Sequence, residues 1–175
     1  MKKIITALLL ASGLMASIRL SAQSEEDKSK RVSLPDTATQ KISTGANIVI
    51  AYSRPSVKGR TIGKDLEPMD GKVWRTGANE ATTFETNKDV TIDGQRLPAG
   101  KYALFTLFNG REVTIIFNKT WNQWGAFKYK EADDQLRVKT KYTDGPHSEK
   151  MTFTIAKSGE VLLAWGTRRV KFKVR

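Results

Sequence analysis

From Asn47 towards the C-terminus, apolar and polar residues alternate in short runs bounded by turn residues. A period of two marks a β-strand with one buried face. Asn47–Ser53 sets Ile48, Ile50 and Tyr52 on one side, and Ala81–Thr86 is rich in β-formers. Asp89–Ile92 runs into Asp93-Gly94, a pair suited to a tight hairpin turn. Lys101–Phe108 places Tyr102, Leu104 and Thr106 opposite Ala103, Phe105 and Leu107, and Asn109-Gly110 turns it back into Glu112–Asn118. Gln135–Tyr142 alternates Leu136, Val138 and Thr140 against Arg137, Lys139 and Lys141. Met151–Ile155, Val161–Trp165 and Val170–Val174 complete the set, with Lys157-Ser158-Gly159 as the turn between the first two. No long segment has helical spacing; Ala126–Asp134 has room for one short turn. The pattern predicts an all-β fold, a single antiparallel β-sandwich of about eight or nine strands with one long ordered loop.

Two stretches depart from the pattern. Residues 54–80 carry Pro55, Gly59, Gly63, Pro68, Gly71 and Gly77 with little alternation. A loop that long inside a compact domain tends to carry function. At the head of the chain, Lys2 and Lys3 precede the apolar run Ile4–Ile18, followed by Ser21 and Ala22. This reads as a signal peptide over 1–22, cut before Gln23. Residues 23–40 are polar and charged without a hydrophobic period and read as a flexible leader. The sandwich domain is expected over 41–175, in a periplasmic or secreted protein. No other apolar run approaches the ~20 residues a spanning helix needs, so no membrane span is expected after cleavage.

Composition narrows the chemistry. The 175 residues include no cysteine, which excludes disulfides, a thiol nucleophile and a thiolate metal site. The formal charge is +12, falling to about +9 if Lys2, Lys3 and Arg19 leave with the signal. A basic protein attracts anionic partners. The lysines and arginines are scattered rather than gathered in a run, so nucleic acid is not an expected partner.

Tyr52-Ser53-Arg54-Pro55-Ser56-Val57-Lys58-Gly59-Arg60 and Gly71-Lys72-Val73-Trp74-Arg75-Thr76-Gly77-Ala78-Asn79-Glu80-Ala81-Thr82 resemble the signature of a family of exported Bacteroidota proteins, domain of unknown function 2911. Leu97-Pro98-Ala99-Gly100-Lys101-Tyr102, Trp124-Gly125 and Leu136-Arg137-Val138 resemble further blocks of that family, over roughly residues 40–175. Two positions depart from it: Leu107-Phe108, where the family has a proline after its strand, and Gly166, where it often has an acid after the tryptophan. The resemblance implies export and an all-β domain, and no established activity.

The residues of the two motifs define the candidate site: Tyr52, Arg54, Arg60, Trp74, Arg75, Asn79 and Glu80. Guanidinium groups grip carboxylate or phosphate in two places, glycine lets backbone approach a ligand, and Trp74 and Tyr52 offer faces to a sugar. The leading expectation is a non-catalytic envelope binding module for an anionic or saccharide-like ligand. Three alternatives stand beside it. Arg54 or Arg75 pairs with Glu80 in an internal network that fixes the loop. Glu80 serves as acid or base in a glycan-directed hydrolase, which needs a second carboxylate about 5–10 Å away, with Asp134 next in line. Or the chain is a structural envelope protein with no ligand site. His147 is the only histidine and falls in an apparent turn, without a nucleophile motif or the partners of a zinc site, so neither metal nor cofactor is expected. Trp121, Trp124, Phe127 and Tyr129 form either a glycan platform or the packing of a loop over one end of the sandwich.

Overall fold

The computed structural model describes residues 27–175; the expected signal peptide lies outside the described residues. Ten strands follow in order: β1 (Pro35–Lys41), β2 (Asn47–Ser53), β3 (Val73–Trp74), β4 (Thr83–Thr86), β5 (Val90–Ile92), β6 (Gln95–Leu97), β7 (Gly100–Asn109), β8 (Glu112–Asn118), β9 (Asp134–Ile155) and β10 (Glu160–Lys173). The only helical turns among the described residues are short 3-10 segments, Lys28–Lys30 and Glu131–Asp133. The fold is all-β and sandwich-like, as the period of two predicts.

One antiparallel sheet runs β1-β2-β4-β7-β8-β9-β10, with β3 added to β7, and β5 and β6 form a separate hairpin. The sheet curls because β9 serves two layers. Its first part pairs with β8, from Asn118↔Asp134 to Glu112↔Lys141, and its second with β10, from Val170↔Tyr142 to Val161↔Ile155. The core lies where β10 closes over β4 and β8. Phe117 meets Phe84 edge-on at 5.1 Å and Phe172 at 6.1 Å, and all three are buried. A second, smaller cluster of Ala81, Ala103, Phe105 and Ile116 lies on the outer face, under Val73, Leu107, Ala126 and Tyr129. Strand β7 therefore buries both of its alternating faces, the one with Leu104 and the one with Phe105.

Several expectations are corrected. The stretch 54–80, read as one long loop, contains the two-residue strand β3, paired with β7 at Val73↔Leu107 and Trp74↔Thr106. Pro35–Lys41 is a strand, paired with β2 from Pro35↔Ser53 to Lys41↔Asn47, so the domain begins ahead of Lys41. Its inward face carries Asp36, Ala38 and Gln40, half-buried, so no large apolar residue announced it. The short strand β6 also lacked an apolar period. Gln135–Tyr142 and Met151–Ile155 are one strand, as are Val161–Trp165 and Val170–Val174 up to Lys173. His147 consequently sits in β9 rather than in a turn, because Thr143 and Asp144 continue the ladder opposite Arg169 and Arg168. The β7–β8 hairpin turns at Gly110-Arg111, between the paired Asn109 and Glu112.

Candidate functional site

The 54–80 segment is an ordered loop stitched onto one end of the sandwich. Val57 N–H donates to the Glu149 carbonyl and Lys58 N–H to the Glu149 carboxylate, at 2.9 and 2.8 Å. Gly71 N–H reaches the Phe108 carbonyl, Ala78 N–H the Ser53 carbonyl and Thr82 N–H the Arg75 carbonyl. Outside β3, which pairs with β7, these bonds satisfy the loop's backbone, as burial requires. Gly77 is wedged in: a Cβ there would lie 3.0 Å from Thr82 Oγ1 and 3.1 Å from the Ser53 carbonyl oxygen.

Thr76 is fully buried with φ +53°, a conformation unfavourable for a β-branched residue. Hydrogen bonds hold it there: its hydroxyl meets Thr106 Oγ1 at 3.0 Å and its carbonyl accepts from Thr82 Oγ1 at 2.7 Å. Backbone held in this way costs roughly 1–3 kcal/mol and clusters at functional sites. Here it directly follows Arg75.

The structure divides the seven sequence-predicted residues into two groups. Arg54, Asn79 and Glu80 are tied into a network. Arg54 donates to the Met151 carbonyl (3.0 Å) and Thr152 Oγ1 (2.8 Å) and pairs with Asp36 at 3.2 Å. Asn79 donates to the Ser33 carbonyl. Glu80 binds Arg31 at 2.6 Å and Lys28 at 3.2 Å, and Arg31 also lies over the Trp124 ring. The chain just ahead of β1 thus crosses the motif and supplies its counter-ions, which sequence reasoning missed because residues 27–34 show no period. Glu80 therefore pairs with Arg31 and Lys28, where Arg54 or Arg75 was expected. Burial pushes its carboxyl up, but the hydrogen bonds from Arg31, its own backbone N–H and Lys28 outweigh that and hold it at about 2.

Tyr52 belongs with this network. It is buried, packs edge-on to Phe153, donates to Asp36 and accepts from Phe153 N–H. Burial raises its hydroxyl above the ordinary value. Tyr52, Asp36 and Glu80 border one hollow of about 180 Å³. Asp134 is engaged elsewhere, accepting from Asn118, Tyr129 and Arg137. Burial and the hydrogen bond to Asp134 push the Tyr129 hydroxyl up to about 12.

Arg60, Trp74 and Arg75 form the second group, around a hollow of about 240 Å³ also bordered by Glu67 and Trp165. Trp74 is buried and stacks on Trp165 at 5.5 Å, so its indole offers no open face to a sugar. Arg60 donates to the Val57 and Ser56 carbonyls and keeps its head at the surface. Arg75 is the unsatisfied member. Burial pushes its guanidinium below the ordinary value, against the pull of the Glu67 carboxylate.

Three buried side-chain nitrogens lack a hydrogen-bond partner among the described residues: Arg75 Nε, Trp165 Nε1 and Arg168 Nη1. Buried donors are nearly always satisfied in native proteins. Sequence reasoning passed over Trp165 and Arg168. The signal was Gly166, which interrupts the alternation of β10: the ladder shifts register on both sides of it, and it adopts φ +52°. A bulge of this kind re-aims its neighbours.

The described residues hold no group of three or more His, Asp or Glu able to bind a metal, and none of their helices is long and apolar enough to cross a membrane. His147 is exposed and lies 3.3 Å from Glu149. Trp121, Trp124 and Phe127 are exposed at one end of the sandwich, while Tyr129 packs edge-on to Phe105.

No curated protein and no solved structure matches the chain. The model of the family described as "Protein of unknown function (DUF2911)" matches residues 33–174, from the residue that Asn79 holds to the end of the last ladder, and the chain belongs to that family.

Proposed function

We propose that this is an exported, non-catalytic binding module that takes an anionic ligand in the hollow bordered by Arg60, Arg75 and Trp165. One observation carries the reading. Arg75 Nε and Trp165 Nε1 are both buried without an acceptor among the described residues, and both side chains border the same hollow. A buried unpaired donor costs about 1–3 kcal/mol. A carboxylate or phosphate oxygen reaching these donors would recover that cost and add to the Glu67 carboxylate in offsetting the burial of the Arg75 guanidinium. A saccharide carrying such a group fits through its oxygens rather than by stacking, because Tyr52 and Trp74 are buried. Export rests on Lys2, Lys3 and the apolar run Ile4–Ile18.

The low pKa of Glu80 supports the non-catalytic half. A carboxyl held at about 2 by Arg31 and Lys28 is ionised near neutral pH, with no proton to give a leaving group, and is too weak a base to take one readily. Titration calorimetry with glucuronate and glucose 6-phosphate, against neutral glucose, tests the proposal. At least one of the two anions should bind while glucose does not. Arg75→Lys should weaken that binding about tenfold or more, and Arg96→Ala, at an exposed arginine paired with Asp89, should leave it unchanged. Failure of both anions to bind, or equal binding by the Arg75→Lys variant, would overturn it.

A further inference from the structure

We infer that the ligand carries at least two anionic groups and lies along the underside of the 54–80 loop, one group at Arg75 and the next between Arg60 and Arg168. This rests on the anion-binding reading and extends it. Beside the first hollow lies a larger one of about 360 Å³, bordered by Arg60, Thr61, Thr167 and Arg168. Arg60 borders both, so the two are adjacent. Trp165, which borders the first hollow, and Arg168, which borders the larger, both line a small apolar gap of about 10 Å³. The side chains of all three unpartnered buried donors therefore border neighbouring hollows that share lining residues.

Arg168 is built into its place. Its Nη2 donates to the Ile62 carbonyl at 3.0 Å, and its guanidinium lies over Phe108 at 5.5 Å and Tyr142 at 5.0 Å. Gly63 lets the loop close on it, since a Cβ there would stand 2.7 Å from Nη2. These contacts fix the head group and still leave Nη1 without an acceptor. The carboxylate of the larger hollow, Asp144, is already paired with Arg111 at 2.9 Å, and the imidazole of His147 faces Glu149. Neither Arg60 nor Arg168 forms a close ion pair with a carboxylate among the described residues, although the Arg60 charge helps to lower the Glu149 carboxyl.

Size points the same way. Ligand sites usually enclose about 300–1,000 Å³. The first hollow falls short of that range alone, and with its neighbour it lies well inside it. Donors without matching acceptors, spread over neighbouring hollows, suit a ligand with repeated oxyanions.

Binding should be measured for two series: galacturonate against trigalacturonate, and phosphate against tripolyphosphate. In at least one, the longer anion should bind about tenfold or more tightly than its monomer, and the responding series identifies the anionic group. Thr167→Glu places a negative charge at an exposed position of the larger hollow. It should abolish the gain while leaving monomer affinity and the melting temperature unchanged. Arg168→Lys should do the same to the gain if it folds. If monomers bind and the longer anions gain nothing, or if Thr167→Glu spares the gain, this inference fails and the single-anion site stands. If neither series binds, both readings fall.

Discussion

At the scale of single residues, the motif divides by whether a charged group found its partner inside the protein. Glu80 did. Its carboxyl sits at about 2, below the ordinary 4.5, so the fold favours the ionised form. The stability this contributes is complete above about pH 4.5 and is lost as pH falls towards 2. Its side chain is 37 % exposed, so solvent screens part of the effect. Glu80→Gln should therefore lower stability at neutral pH by about 1 kcal/mol. Urea unfolding at pH 7 and pH 2 should show that gap closing at the acid end; a gap unchanged between the two would exclude the charge as its cause. The sequence made Arg75 and Glu80 legible as residues of interest because both lie in a dense polar motif. It could not assign the partners of Glu80, since Arg31 and Lys28 lie in a segment without period, nor place Trp165 beside the hollow of Arg75, since it lies far along the chain.

At the scale of elements, hydrophobic alternation located the longer strands that bury an apolar face, β2, β7 and β8 most clearly, but not the short β3 and β6, in which Trp74 and Leu97 are the single buried residues. It missed β1, whose inward residues are Asp36, Ala38 and Gln40, and it broke β9 at Thr143–His147 because that stretch reads as a turn. The 54–80 loop was visible as an absence of pattern, but its path is set by contacts to β9 and β10. Gly63 marks the tightest of these. It adopts φ +90°, and a Cβ would stand 2.7 Å from Arg168 Nη2; Gly59 adopts φ +70° with open space around it. Alanine at Gly59 should cost only the left-handed backbone penalty, about 1–2 kcal/mol. Alanine at Gly63 should cost that plus the displacement of Arg168 from the Ile62 carbonyl, in all about 2–4 kcal/mol. Thermal unfolding of the two variants checks the difference, and equal losses would show that the loop yields freely at Gly63.

At the scale of the whole molecule, the sandwich and the loop draw on different interactions. The sandwich rests on buried aromatic contacts, with Phe117 between Phe84 and Phe172. The loop rests on individual polar bonds, several of them from Arg54 to Asp36, Met151 and Thr152. Apolar burial of this kind is shared across the layers, whereas a polar stitch supports only the segment it holds. Phe117→Ala should cost about 3–5 kcal/mol, and its effect should spread. Amides in β2, β7, β8 and β10 should lose hydrogen-exchange protection together, because all depend on the same core. Arg54→Met keeps much of the side chain's bulk and removes its polar bonds. It should raise exchange at Val57, Ala78 and Thr82, whose amides tie the loop down, and leave β7 and β8 protected. If Arg54→Met instead lowered protection uniformly, loop and sandwich would be one cooperative unit, and a ligand under the loop would stabilise the entire fold. With the expected local response, an anion bound at Arg75 should slow exchange in the loop first and reach β7 next, through the pairing of Trp74 with Thr106 and the Thr76–Thr106 hydroxyl bond.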